Sequence, residues 1–117
     1  MRLFDHLIYE FRKGVRDMVL FTFKKQEEES IKSRLERNGI SYIIQPLNNG
    51  NVNIFFGKEE CMVVVDKICK NKPLNRLTPE EDFILGILLG YSIKEQCNRY
   101  CKKHENAATK NVALCLA

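Results

Sequence analysis

The sequence predicts a small α+β domain: a split βαβ-type sheet of at least three strands, with helices on one face and a C-terminal helix pair. Three observations carry this. The run Met18–Phe23 is rich in β-branched and aromatic residues, and two further such runs meet at Asn48-Asn49-Gly50, where Asn and Gly tolerate positive φ. A helical stripe lies between the first run and the second, which is the chain order of a split βαβ unit. Finally, Thr78 with Glu81 and Ser92 with Glu95 are spaced as capping boxes, and each opens a helix.

The elements follow in order. Leu3, Leu7, Ile8 and Phe11 recur at helical spacing over residues 3–13, and Gly14 ends the segment; the same residues also permit a strand, with helix preferred. Met18–Phe23 reads as a buried strand. Gln26–Asn38 reads as an exposed helix with one stripe, Ile31 and Leu35, acids in its first turn, and Gly39 after its end. Ser41–Leu47 and Asn51–Phe56 form an antiparallel hairpin in which Val52, Ile54 and Phe56 face one way and Asn51, Asn53 and Phe55 the other. Glu59–Lys70 is a helix despite its valine run, and residues 71–77 are a loop. Pro79 suits the first position of the next helix, which runs through the apolar stretch Phe83–Leu89 to Gly90. A last helix opens after Ser92 and reaches about Lys103. The expected organisation is one domain over residues 1–104 and a poorly anchored tail over 105–117.

Composition narrows the function classes. A chain of 117 residues with 44% apolar residues builds one core of ordinary size. The longest apolar stretch is far short of the roughly 20 residues a bilayer core requires, and Asp5, Glu10 and Arg12 interrupt any secretory h-region. The five cysteines, Cys61, Cys69, Cys97, Cys101 and Cys115, are an odd set for a disulfide framework. Together these features place the protein in the cytoplasm. Its net charge of +4 comes from 19 basic and 15 acidic residues mixed along the chain. That admits an acidic partner but is weaker than the concentrated charge of a nucleic-acid binder, so nucleic acid is disfavoured as a partner.

Two groups of residues are candidate sites. Arg12, Lys13 and Arg16 near one end and Arg99, Lys102 and Lys103 near the other would form one basic patch if the termini packed together, with Tyr9 and Tyr100 interleaved. A solvated face is the plainer reading. Cys97, Cys101 and His104 lie at helical spacing and could converge as a partial metal or redox site, with His6 or Cys115 as a further ligand. The plainer reading there puts Cys97 in the core and Cys101 at its edge. His6 beside Asp5 or Glu10 has the outline of a general base but no matched nucleophile. Glu80-Glu81-Asp82 could hold a hard cation, although Glu81 has a capping role. No glycine-rich phosphate loop is present.

Several segments also carry a resemblance. His6–Gly14 with Met18-Val-Leu, Asn51–Gly57, Leu77–Tyr91 and Gln96–Tyr100 resemble a family of small bacterial proteins, found in Bacteroidetes and other anaerobes, classed as a domain of unknown function. The resemblance spans roughly residues 1–103, and Thr78–Tyr91 is its most specific part. It transfers no catalytic residue and no cofactor. It implies an association with flavodoxin, whose genes accompany those of the family; flavodoxins are acidic, which suits a basic surface. The sequence-level expectation is therefore a non-enzymatic accessory or binding protein that docks to flavodoxin, with a thiol- or metal-based sensor at Cys97, Cys101 and His104 as the alternative. If the chain forms an oligomer, a two-fold homodimer is the default.

Overall fold

The computed structural model describes residues 2–69 and 72–108, and it divides into two compact units, Met1–Lys67 and Ile68–Ala117. The elements run α1 (Arg2–Arg12), β1 (Met18–Lys24), α2 (Glu28–Arg37), β2 (Ser41–Pro46), β3 (Asn51–Gly57), α3 (Glu59–Cys69), α4 (Pro79–Leu88) and α5 (Ile93–Ala108). Short 3-10 turns occupy Lys25–Glu27 and Leu74–Arg76.

In the first unit the strands lie in the order β1-β3-β2, and β3 is antiparallel to both neighbours. The expected split βαβ sheet is therefore formed, with β1 and β2 parallel to each other on either side of β3. Val19, Phe21 and Phe23 fall opposite Phe56, Ile54 and Val52, and Tyr42 and Ile44 complete the same face. That face carries the core. Phe4, Leu7 and Ile8 of α1 and Ile31 and Leu35 of α2 join it there. Phe4, Ile31, Leu35, Ile54 and Phe56 are fully buried, each contributing about 1.5–3 kcal/mol of apolar transfer. Phe4 meets Phe56 edge-on at 5.8 Å, and Phe11 does so at 6.2 Å. Residues 3–13, open to two readings in the sequence, are thus helical because the α spacing aims Phe4, Leu7, Ile8 and Phe11 at one face.

Along the other face, Thr22, Asn53 and Gln45 stand side by side in register. Thr22 Oγ1 donates to Asn53 Oδ1 at 2.6 Å, and Asn53 Nδ2 donates to Gln45 Oε1 at 3.0 Å. Asn53 is buried, so this ladder supplies the hydrogen bonds that a polar group on a central strand needs.

Two boundaries differ from the sequence reading. The first turn of the helix expected over 26–38 is a 3-10 turn, and α2 proper starts at Glu28. α5 continues past Lys103 to Ala108. Of the expected tail, residues 109–117 lie outside the described residues, as do Lys70 and Asn71.

In the second unit, Thr78 Oγ1 accepts from the Glu81 N–H at 3.1 Å while the Glu81 carboxylate accepts from the Thr78 N–H at 2.9 Å. The capping box read from the sequence is formed, with Pro79 in the first turn. Of the second, the Glu95 N–H donates to Ser92 Oγ at 3.4 Å. No helix among the described residues is long and apolar enough to cross a membrane.

Candidate functional site

The basic residues near the N-terminus sit where α1 stops. Gly14, at φ +80°, turns the chain into a Schellman arrangement: Val15 N–H donates to Glu10 O at 3.0 Å and Gly14 N–H to Phe11 O at 3.1 Å. This leaves Arg12 and Lys13 at the negative end of the helix dipole, which favours cations. Both are exposed. Arg12 Nη1 donates to the neutral Asn38 Oδ1 at 2.5 Å, and Lys13 Nζ lies 5.6 Å from the centre of the Tyr9 ring. Neither forms an ion pair with a described carboxylate, so both charges stay uncompensated. Tyr9 is 57% exposed. A shallow groove beside it is lined by Asp5, Ile8, Tyr9, Arg12 and Lys13. Arg16 differs, because its Nε is 3.0 Å from Glu10 Oε1.

His6 also approaches Glu10, with Nε2 3.6 Å from Oε2. The carboxylate beside His6 is thus shared with Arg16. Asp5 is instead paired with Arg34. His6 stacks on Tyr9 at 6.5 Å and belongs to the same exposed strip of α1.

The other candidate residues all lie on α5. Its face toward α4 is the stripe Gln96, Arg99, Tyr100, Lys103 and His104, at the spacing of one helix surface. Arg99 grips Asp82 with a two-bond fork, 2.7 Å from Nε and 3.0 Å from Nη2, and Lys103 Nζ is 3.8 Å from the same carboxylate. Tyr100 Oη donates to Glu80 Oε2 at 3.0 Å, and His104 Nε2 is 3.1 Å from that oxygen. The hydrogen bonds that Glu80 accepts, from its own backbone first and from Tyr100 next, hold its carboxyl below the usual range. Lys72 donates to Glu81 at 2.6 Å and is the main cause of a similar lowering there. Glu80, Glu81 and Asp82, read in the sequence as a possible cation site, are each committed to a neighbour within the unit.

This stripe corrects one sequence reading. Cys97 is exposed and Cys101 half-buried, so the core position expected for Cys97 is not occupied by it. Gln96 takes the buried place, and Cys97, one residue on, is rotated off that face. His104 turns toward Glu80, and among the described residues no group of three or more His, Cys, Asp or Glu could hold a metal. Cys115 lies outside the described residues. Lys102 is exposed and has no ion-pair partner among the described residues. The zipper between α4 and α5 was missed because its contacts are polar, whereas periodicity reads apolar stripes; the acids at 80–82 and the bases at 99–103 were its available signal.

Residues 2–103 match the model of a family described as "Protein of unknown function (DUF2023)". No curated protein matches the chain.

Proposed function

The chain belongs to the DUF2023 family of proteins of unknown function, and for it we propose a binding role: a cytoplasmic accessory protein that docks an acidic protein partner, flavodoxin. One observation carries this reading. At the end of α1, Arg12 and Lys13 are exposed and uncompensated, beside an exposed Tyr9. Cations that hold no carboxylate among the described residues lose little when they meet a carboxylate surface, and a flanking aromatic adds contact area at low entropic cost. Arg16, Arg99 and Lys103 already hold carboxylates of this chain, so they contribute less to docking. Lys102, exposed on α5, also has no ion-pair partner among the described residues.

The test is calorimetric titration of the flavodoxin from the same organism into the protein at low and high salt. The double reversal Arg12→Glu/Lys13→Glu is expected to weaken binding by about tenfold or more, and added salt to weaken it progressively. Arg16→Glu is expected to have the smaller effect. Binding that is unchanged by the double reversal and by salt would overturn the proposal.

A further inference from the structure

The edge of the sheet formed by β2 is open. β2 pairs with β3 alone, and among the described residues no backbone hydrogen bond reaches Ser41–Pro46 from the other side. The hairpin fixes which groups point outward. Leu47 N–H donates to Asn51 O at 3.0 Å, so the peptide groups of Leu47 face β3. Antiparallel alternation then turns Gln45, Ile43 and Ser41 toward β3, and Pro46, Ile44 and Tyr42 away from it. The open edge therefore presents an N–H and a carbonyl from both Tyr42 and Ile44, and a carbonyl alone from Pro46. Proline there limits how far any added strand can pair, a common protection for edges.

A groove of about 540 Å³ lies beside this strand. Ile43 from β2 and Met62 and Val63 from α3 give it an apolar lining, with Glu59, Asp66 and Lys67 at its rim. Val63 is 56% exposed, an aliphatic side chain left in water. Glu59 and Asp66 form no ion pair among the described residues. Most other acids of this unit are engaged: Asp5 with Arg34, Glu10 with Arg16, Asp17 with Lys58, Glu28 and Glu29 with Lys32, and Glu36 with Tyr42.

We propose that β2 and α3 form a docking groove for an extended, apolar segment of a partner protein bearing lysine or arginine, which adds to the sheet as a fourth strand beside β2. Main-chain bonds to Tyr42 and Ile44 supply affinity, and alternate side chains of the segment select for the groove. One set of side chains packs on Ile43, Met62 and Val63, while its cations meet Glu59 and Asp66. This surface is distinct from the end of α1 and opposite in charge preference.

The experiment uses the full isotope-labelled chain and a short synthetic peptide of alternating valine and lysine. Amide hydrogen exchange at Tyr42 and Ile44 is expected to slow by roughly tenfold or more at saturating peptide, while a valine–glutamate peptide leaves it unchanged. Asp66→Lys and Val63→Lys, both at exposed positions, are expected to weaken peptide binding without changing the melting curve. Absence of protection at Tyr42 and Ile44, equal protection by the glutamate peptide, or unchanged binding by both variants would overturn the proposal. So would protection that rises with protein concentration in the absence of peptide, which would make a second copy of the chain the occupant.

Discussion

Gly86 of α4 faces the side chain of Gln96 on α5 with no space between them: a Cβ at Gly86 would fall 2.5 Å from Gln96 Cδ and 3.1 Å from its Cγ, and closer still to Oε1. Both residues are buried. Glycine inside a helix costs about 1 kcal/mol relative to alanine, so its presence here is explained by the close approach. Gly86→Ala trades that gain against overpacking of about 1–3 kcal/mol. The expected outcome is a net loss of stability in Gly86→Ala that is recovered in Gly86→Ala/Gln96→Ala. Chemical denaturation of the double-mutant cycle measures it, and additive effects would show that the two residues do not constrain each other.

Thr78 and Glu81 close the cap of α4, and Thr78→Ala is expected to cost about 1 kcal/mol by the same assay. Acid acts through Glu81. Its carboxyl is held low by the hydrogen bond from Lys72 first and by the Thr78 backbone next. A carboxyl with a folded pKa below its unfolded value stabilises the fold above the unfolded value, and that contribution is lost as pH falls through the folded one. Stability of the wild type is therefore expected to decline below the ordinary carboxylate range. Glu81→Gln is expected to flatten that decline, and an identical acid profile in the variant would count against the assignment.

Much of this architecture was legible in the chain, and the reasons differ from place to place. The capping box at Thr78 is local chemistry, so its residues are adjacent and readable. The hairpin at Asn48-Asn49-Gly50 is legible for the same reason, and it fixed the register of β2 on β3. α1 was open to two readings because Phe4, His6, Ile8 and Glu10 also alternate, and only the packing of Phe4, Leu7 and Ile8 against the sheet decides between them. The alternation places Asn53 opposite Val52 and Ile54 but does not say what covers that face; a central strand buries both faces, so Thr22 and Gln45 must satisfy it. On α5 the side that meets α4 is a stripe of amide, guanidinium, phenol and imidazole, of which only the Gln96 amide is buried. No hydrophobic pattern marks such a stripe, which is why Cys97 was assigned inward and the pairing of Arg99 with Asp82 was not foreseen.

Tyr42 donates its hydroxyl to Glu36 Oε2 at 2.6 Å, and that bond is the first cause of a phenol pushed up to about 12. Burial and the charge of Glu36 act in the same direction. The folded value exceeds the ordinary 10.0, so the contribution to stability is complete below pH 10 and is lost as pH rises toward about 12. A tyrosinate absorbance titration is expected to contain one step near 12 that Tyr42→Phe removes and Glu36→Gln moves down toward 10. A step that stays in place in Glu36→Gln would assign the shift to some other cause.

Thiol chemistry separates the cysteines by environment. Burial pushes the Cys69 thiol up, and Glu81 adds to this while Lys72 opposes it. Burial also raises Cys61, with Asp17 next. The thiolate is the nucleophile, so both are suppressed as reactive groups at neutral pH. Cys97 is exposed on α5 and open to reagent. Limited alkylation of the reduced protein followed by peptide mass mapping is expected to modify Cys97 well before Cys69, with Cys61 also slow. Denaturant should abolish the difference, because the order arises from burial rather than from the thiols themselves. If Cys69 were labelled first in the folded protein, the packing of the end of α3 would have to be open to solvent, and the raised thiol would have lost its cause.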